Sequence, residues 1–320
     1  MKLARYLLGG VRTILVEYYT WLLFIAIYLV MGIFVPTIFR SAILLNVLVQ
    51  GTTVCLLSIG MTFVMLVGEI DLSIVAAAAF APMAGIISWE LGFPIPLAIL
   101  LTLSIGGVIG FLNGLIITKL KIPSLVQTVA MWWMLEGIVL IVTRGVAKAG
   151  LPAAWMLLGR VFLGPIPLLV FFFFVVVLIA ILFARRTVTG RRLYLVGGNR
   201  EACSAMGIPV SKIRIISFVI SGLFGALAGY VSSSRMGFVS SSFAVEWLMP
   251  AIAAPVIAGV SLTGGRGNFI NVIAGAYLVQ LIVMVVRAGG VSGYFTEFVQ
   301  GLLVFVAILV NAGRQRVTSH

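Results

Sequence analysis

Long apolar runs separated by short polar intervals make up nearly the whole chain. Windows of about 17 to 25 apolar residues are long enough to cross a bilayer's hydrocarbon core as helix. They fall at Tyr19 to Ile38, Ile43 to Val67, Leu72 to Ser88, Pro96 to Thr118, Leu125 to Val142, Phe162 to Ala184, Ile213 to Ser233, Leu248 to Leu262, Asn268 to Val286 and Phe295 to Asn311. The pattern predicts an all-α integral membrane protein of about ten transmembrane helices, the eighth of them short. One polar interval exceeds the others in length, Arg185 to Arg214, where seven basic residues (Arg185, Arg186, Arg191, Arg192, Arg200, Lys212, Arg214) accompany the single acid Glu201. Basic loops stay on the cytoplasmic side, so this loop is assigned there. With the N-terminus inside, Gly68 to Asp71, Lys119 to Lys121, Gly264 to Gly267 with Arg266, and Arg314 with Arg316 reach the same side, and both termini are cytoplasmic. Arg40, Arg144, Lys148, Arg160, Arg235 and Arg287 form the scatter that the rule tolerates.

Composition agrees with this. The 320 residues are 62% hydrophobic and 9% charged, with mean hydropathy +1.25, far outside the range of soluble domains. A net charge of +13 would suggest nucleic acid in a soluble protein. Here the cations lie in loops between spans, so topology and lipid account for them and no nucleic-acid partner is called for. The N-terminal stretch lacks a small-residue cleavage site and reads as a retained amphipathic lead-in. Cys55 lies in an apolar run and Cys203 in the basic loop, so both are expected as free thiols. No segment outside the spans is long enough to bury a core. Residues 1–320 are therefore read as one transmembrane domain.

Within the basic loop, Gly197-Gly198-Asn199 signals a turn, Asn199 is placed to cap a helix from Arg200 through Met206, and Gly207 with Pro209 beyond it stops that helix. Two readings are open: a cluster of charges that only fixes orientation, or a docking surface. Glu69 and Asp71, in TFVMLVGEIDLSI, stand between two spans with no polar loop to carry them. A charge at a helix centre costs about 2.5 to 3.5 kcal/mol on insertion scales, so these carboxylates belong at an interface, in a cavity or in a pair. A tight turn in which Asp71 merely caps the next helix is the alternative. Gly106, Gly110 and Gly114 recur every fourth residue and put a small-residue face on the fourth span, where a neighbouring backbone can approach closely. A shift of 115 residues aligns Ile105, Gly107, Gly110 and Gly114 with Ile220, Gly222, Gly225 and Gly229, too short a match to establish a repeat.

Three stretches resemble permease subunits from the simple-sugar branch of ATP-binding-cassette importers, the ribose, xylose, arabinose and autoinducer-2 type. GGNREACSAMGI is similar to that family's cytoplasmic coupling segment through Gly197, Gly198, Asn199, Glu201, Ala202, Gly207 and Ile208, with Cys203 in place of an alanine. GEIDLS matches at Gly68, Ile70, Asp71, Leu72 and Ser73. Ala251 to Ala276, with Gly264, Gly265, Arg266 and Gly267, resembles the third motif; Pro250 replaces a common aspartate and Ala258 a glycine, which suggests a diverged subfamily or one half of a heteromeric permease. Including Leu112 to Ala130, the likeness runs from about Leu48 to Val310. It implies a single inner-membrane permease domain that moves a pentose-like monosaccharide inward. It implies as partners a separate ATPase subunit, which binds the ATP and magnesium, a periplasmic or extracellular substrate-binding protein, and a second or paralogous permease copy. Asn199, Glu201, Ala202, Gly207 and Ile208 would then meet the ATPase. Glu69, Asp71, Ser73, Asn113, Gln127, Trp132, Glu136 and Arg266 are candidates for the translocation path or gate. Trp132 and Trp133 read equally well as sugar-stacking surfaces or as interfacial anchors.

Other chemistries fail on residue types. Asp71 is the single aspartate, so no aspartyl dyad forms, and the single histidine is His320, which leaves no serine–histidine or zinc site. No phosphate-binding G-x-x-x-x-G-K-[ST] occurs, so the chain supplies neither catalytic nor nucleotide site, and energy comes from a partner. The alternative from another class is a self-contained carrier or channel that uses Glu69 or Asp71 as a proton or cation site; a capped cytoplasmic helix has no use in such a protein.

Overall fold

The computed structural model describes residues 18–34 and 36–288, with further helical residues at 298, 300–302 and 305. The predicted N-terminal lead-in, most of the tenth span and the Arg314–Arg316 pair lie outside the described residues. Between residues 18 and 288, twelve α-helices are described: α1 (Tyr19–Phe34), α2 (Ser41–Leu66), α3 (Ile74–Glu90), α4 (Ile95–Leu120), α5 (Ser124–Thr143), the one-turn α6 (Leu157–Arg160), α7 (Leu168–Arg186), α8 (Val188–Gly198), α9 (Arg200–Ala205), α10 (Val210–Met236), α11 (Leu248–Ile257) and α12 (Phe269–Ala288). Six of them, α2, α4, α5, α7, α10 and α12, are long and apolar enough to cross a membrane, and α1, α3 and α11 are shorter apolar helices. The chain is a multi-pass, mostly helical membrane protein.

Proline sets several starts. Pro94, Pro123, Pro167 and Pro209 each stand directly before α4, α5, α7 and α10, where a fixed φ favours entry and the missing N–H costs nothing. The sixth predicted span begins later than expected, because Phe162–Leu163 (β1) and Ile166–Pro167 (β2) pair antiparallel as a small hairpin before α7. The eighth is a half-length helix: α11 stops at Ile257, and the chain turns at Ala258–Gly259 and continues without helix to Asn268.

Helix α10 lies at the centre, against α4, α2 and α3, while α12 packs on α2 and α11. The small-residue face read from the sequence makes the tightest seam. A Cβ at Gly106 would lie 2.4 Å from the Gly222 carbonyl oxygen, and one at Gly110 2.0 Å from that of Phe218. Backbones this close remove any room for side chains, and in a bilayer such packing is what holds helices together. Gly225 and Gly229 instead face α3, at Ile74 and Ala78. Outward, α5 and α7 show Ile141, Phe174 and Ile179, each more than half exposed, as expected of surfaces bathed in lipid.

Gly110→Val should open the α4–α10 seam at a cost of about 1 to 3 kcal/mol or more from overpacking. Gly107→Ala, whose Cβ would meet only the Leu223 side chain at 3.4 Å, should stay within about 0.5 kcal/mol of wild type. Thermal unfolding in detergent distinguishes the two; equal melting temperatures would show that the seam carries no stability.

Candidate functional site

The site is built where α2 stops. Gly68 takes φ +73° and its N–H donates to the Met65 carbonyl at 2.9 Å, while the Glu69 N–H donates to Val64 at 3.2 Å. This paired closure with a left-handed residue is the Schellman ending of a helix, and it turns Glu69 out of the helix line. Two other breaks in the chain close on the same spot. Gly265 donates its N–H to the Leu66 carbonyl at 2.9 Å, and Gly197 lies so close that a Cβ would sit 1.8 Å from the same oxygen. The end of α2, the end of α8 and the Ser261–Gly267 turn therefore share one junction.

Glu69 is buried in that junction, its side chain 8% exposed. Its Oε1 accepts from Arg200 Nη2 at 2.7 Å and from Arg214 Nη2 at 2.5 Å. Arg200 opens α9 and also donates from Nη2 to the Val67 carbonyl at 2.7 Å; Arg214 lies in the first turns of α10. One carboxylate thus joins the polar loop, a spanning helix and the α2–α3 break through charge-assisted bonds, the stronger kind of hydrogen bond.

Two residues on, Asp71 is 1% exposed. Its Oδ1 accepts from the Ser73 N–H at 3.1 Å and the Ser73 hydroxyl at 2.6 Å, and its Oδ2 from the Ser221 hydroxyl at 2.7 Å. Asn113 Nδ2 donates to Ser73 Oγ at 2.8 Å, and Gln127 Nε2 donates to Asn113 Oδ1 at 3.3 Å. A string of polar side chains therefore runs from α10 through the start of α3 to α4 and α5. Buried polar groups persist in such surroundings only when hydrogen-bonded to one another.

Of the path candidates, Glu69, Asp71, Ser73, Asn113 and Gln127 come together. Trp132 stacks beside Trp133 at 6.2 Å and 13° and packs on the small cluster of Ala76, Ile109 and Leu135. Glu136 is half-buried one turn further along α5, and Arg266 is exposed at its turn; neither side chain joins the network among the described residues. The sequence reading missed Arg200, Arg214 and Ser221 as partners. For the arginines the available signal was charge balance, because two buried-edge acids next to a seven-cation loop need neutralising.

The polar loop is more helical than expected. Gly197 and Gly198 close the eleven-residue α8 instead of forming a free turn, and Thr187 caps that helix by accepting from the Gly190 N–H at 2.9 Å. Helix α9 covers six residues, Arg200–Ala205, ending one residue before the predicted Met206; Asn199 caps it, accepting from the Ala202 N–H at 2.9 Å as expected. Gly207, at φ +75°, and Ile208 close it with a second Schellman pair to Ser204 and Cys203, at 3.0 and 2.9 Å. Cys203 is buried beneath the helix; Glu201, Ala202, Ser204 and Ala205 face outward, with Leu195 51% and Met206 67% exposed. Among the described residues no group of His, Cys, Asp and Glu is arranged to hold a metal ion.

Residues 43–308 match the model of a family described as the branched-chain amino acid transport system / permease component. The chain belongs to this permease family. It is 36% identical over 262 residues to the autoinducer 2 import system permease protein LsrC of Salmonella typhimurium, covering 82% of this chain and 75% of that one. With the ribose import permease protein RbsC of Haemophilus influenzae it shares 30% identity over 306 residues, 93% of each chain. It is 33% identical over 311 residues to LsrC of an Enterobacter species, covering 93% and 88%. No solved structure matches. The resemblance read from the three motifs holds, and the permease is a component of an ATP-binding-cassette importer.

Replacing Glu69 by Gln leaves two guanidinium groups around a neutral amide. The cost should be about 1 to 3 kcal/mol, below that of a fully buried pair because Arg200 is 42% exposed. In a double-mutant cycle Arg200→Gln should couple to Glu69→Gln; strictly additive losses in thermal unfolding would show that the contact carries no energy.

Proposed function

We propose that the permease moves a small polar solute of monosaccharide class, pentose-like, inward across the inner membrane, with the α8–α9 face docked to a separate ATPase subunit that holds ATP and magnesium. In this arrangement the α9 end of the bundle and both termini are cytoplasmic, a binding protein delivers solute to the opposite face, and a second or paralogous permease completes the pore. The names of the relatives, which import ribose and autoinducer 2, favour a sugar-like cargo over the amino acids in the family's description. The observation that carries the mechanism is the double hold of Arg200, on Glu69 and on the Val67 carbonyl. A push on α9 moves Arg200, and Arg200 moves the α2–α3 break, two residues from the string that begins at Asp71. Force at the surface is thereby converted into a rearrangement of buried hydrogen bonds, which can form and break as a unit.

Leu195 and Met206, apolar and exposed outside the spans, would be covered by the ATPase in this arrangement. A self-contained carrier that titrates Glu69 is disfavoured by the two arginines on that carboxylate, because a proton or cation site would compete with both. Asn199 supplies the side-chain cap of α9, and Glu201 in its first turn either pairs with a basic group of the ATPase or favours the helix N-terminus through the macrodipole; only the first role makes assembly depend on its charge.

Three substitutions test the docking face: Ala202→Trp adds bulk there, Gly207→Val strains a left-handed residue, and Glu201→Gln removes the charge. The first two should lower co-purification of the ATPase and its solute-stimulated ATP hydrolysis at least tenfold, while Glu201→Gln should weaken assembly in a salt-dependent way. Normal coupling in both Ala202→Trp and Gly207→Val would place the motor elsewhere. For the buried string, Asp71→Asn keeps one acceptor oxygen and removes the charge. It should yield assembled complex with uptake reduced tenfold or more, and wild-type uptake would leave Asp71 only a turn-forming role.

A further inference from the structure

The coupling network leaves the other end of the bundle untouched, and a second polar region is built there. A cavity of about 520 Å³ is walled by Gln50 and Thr53 of α2, Arg235 at the end of α10, Glu246 and Trp247 ahead of α11, and Gln280 of α12. At 1.5 Å rise per residue, Arg235 stands about 30 Å along α10 from Arg214, near the thickness of a bilayer core. The volume falls within the roughly 300–1,000 Å³ of small-molecule sites.

The walls are polar where the sequence pattern is apolar. Gln50 Nε2 donates to Asn46 Oδ1 at 2.8 Å, and Gln280 Nε2 donates to Gln50 Oε1 at 3.2 Å. This amide ladder joins α2 to α12, yet an amide offers two hydrogens and two lone pairs, and the ladder uses only one hydrogen of Gln280. Gln280 is 9% exposed, so its remaining donor and acceptor have only the cavity edge to serve. Arg235 Nε is likewise buried with no acceptor among the described residues. Intramembrane polar groups that are incompletely satisfied mark function before structure. On the same wall, Phe243 and Trp247 meet edge to face, with centroids 5.2 Å apart at 71°.

We infer that this cavity is where the permease holds its solute, and that the solute is a neutral polyhydroxylated ring. The inference rests on the monosaccharide reading above and names its site. Amide edges that donate and accept side by side fit adjacent hydroxyl groups, which do the same. Indole and phenyl rings cover the C–H face of a sugar. One guanidinium and one carboxylate among several neutral groups do not select an ion of either sign. The solute enters at this end and reaches the Asp71 string at the other, so binding and gating use separate residues.

The test uses membrane vesicles holding the complete importer with its binding protein in excess, and D-ribose, D-xylose, L-arabinose and D-galactose as probes. Gln280→Leu and Trp247→Ala should lower uptake of the preferred sugar at least tenfold and change the ratio of rates among the four, with normal co-purification of the ATPase. Ser242, exposed at the cavity rim, provides a second measurement that survives if Gln280→Leu fails to assemble. In a chain lacking Cys55 and Cys203, a cationic thiol reagent added outside should block uptake by Ser242→Cys, and the transported sugar should slow the block. Uptake within twofold of wild type with unaltered sugar ratios, or full uptake after Ser242→Cys is modified, overturns the site and leaves the monosaccharide reading standing. If the wild-type importer takes up none of the four sugars, both fall together.

Discussion

A carboxylate at the end of a membrane helix has to be neutralised where it lies, because neither lipid nor packed helix hydrates it. Glu69 meets that demand with two cations, Arg200 from the middle of the long polar loop and Arg214 from its end. Much else follows from this contact. Arg200 can reach inward only if α9 lies flat against the end of the bundle, and α9 can lie there only because Gly197 lets α8 touch the Leu66 carbonyl. The loop is therefore part of the bundle and cannot swing on its own.

The central seam supplies the rigid frame against which that contact works. Gly106, Gly110 and Gly222 bring α4 and α10 to backbone contact, and dispersion between closely fitted helices takes the place of the hydrophobic effect, which lipid does not provide. The buried polar string crosses this same seam through Ser221 and Asn113. Small residues and polar residues thus divide the work: the former fix the distance between helices, and the latter fix their register.

Part of the site was legible in the residues alone. Asn199 and Gly207 announced the two ends of α9, because helix caps are local chemistry and need no tertiary context. Glu69 and Asp71 announced themselves by being charged where charge is expensive. Asn113 and Gln127 were legible for a weaker reason, as polar residues in apolar helices. Trp132, Glu136 and Arg266 carried similar signals and yet lie apart from the network, since residue type does not say which side of a helix faces inward. Gln50, Gln280 and Arg235, at the end of the bundle away from Glu69, gave no such signal. Their neighbours are contributed by helices far apart in the chain, and periodicity within one helix says nothing of its partner.

Hydropathy, the placement of lysine and arginine, and the capping residues were enough to determine a multi-pass helical membrane protein with a helix in its long polar loop, because each depends on a single segment and its solvent; that it is a permease came from the resemblance of three motifs. What only the tertiary structure decided is which segments end at a common point. The half-length α11, the extension of α8 through Gly198 and the meeting of Leu66, Gly197 and Gly265 all come from helices competing for the same space. The partners of Glu69 were decided the same way: the loop offered seven cations of equal chemistry, and packing alone brought two within 3 Å.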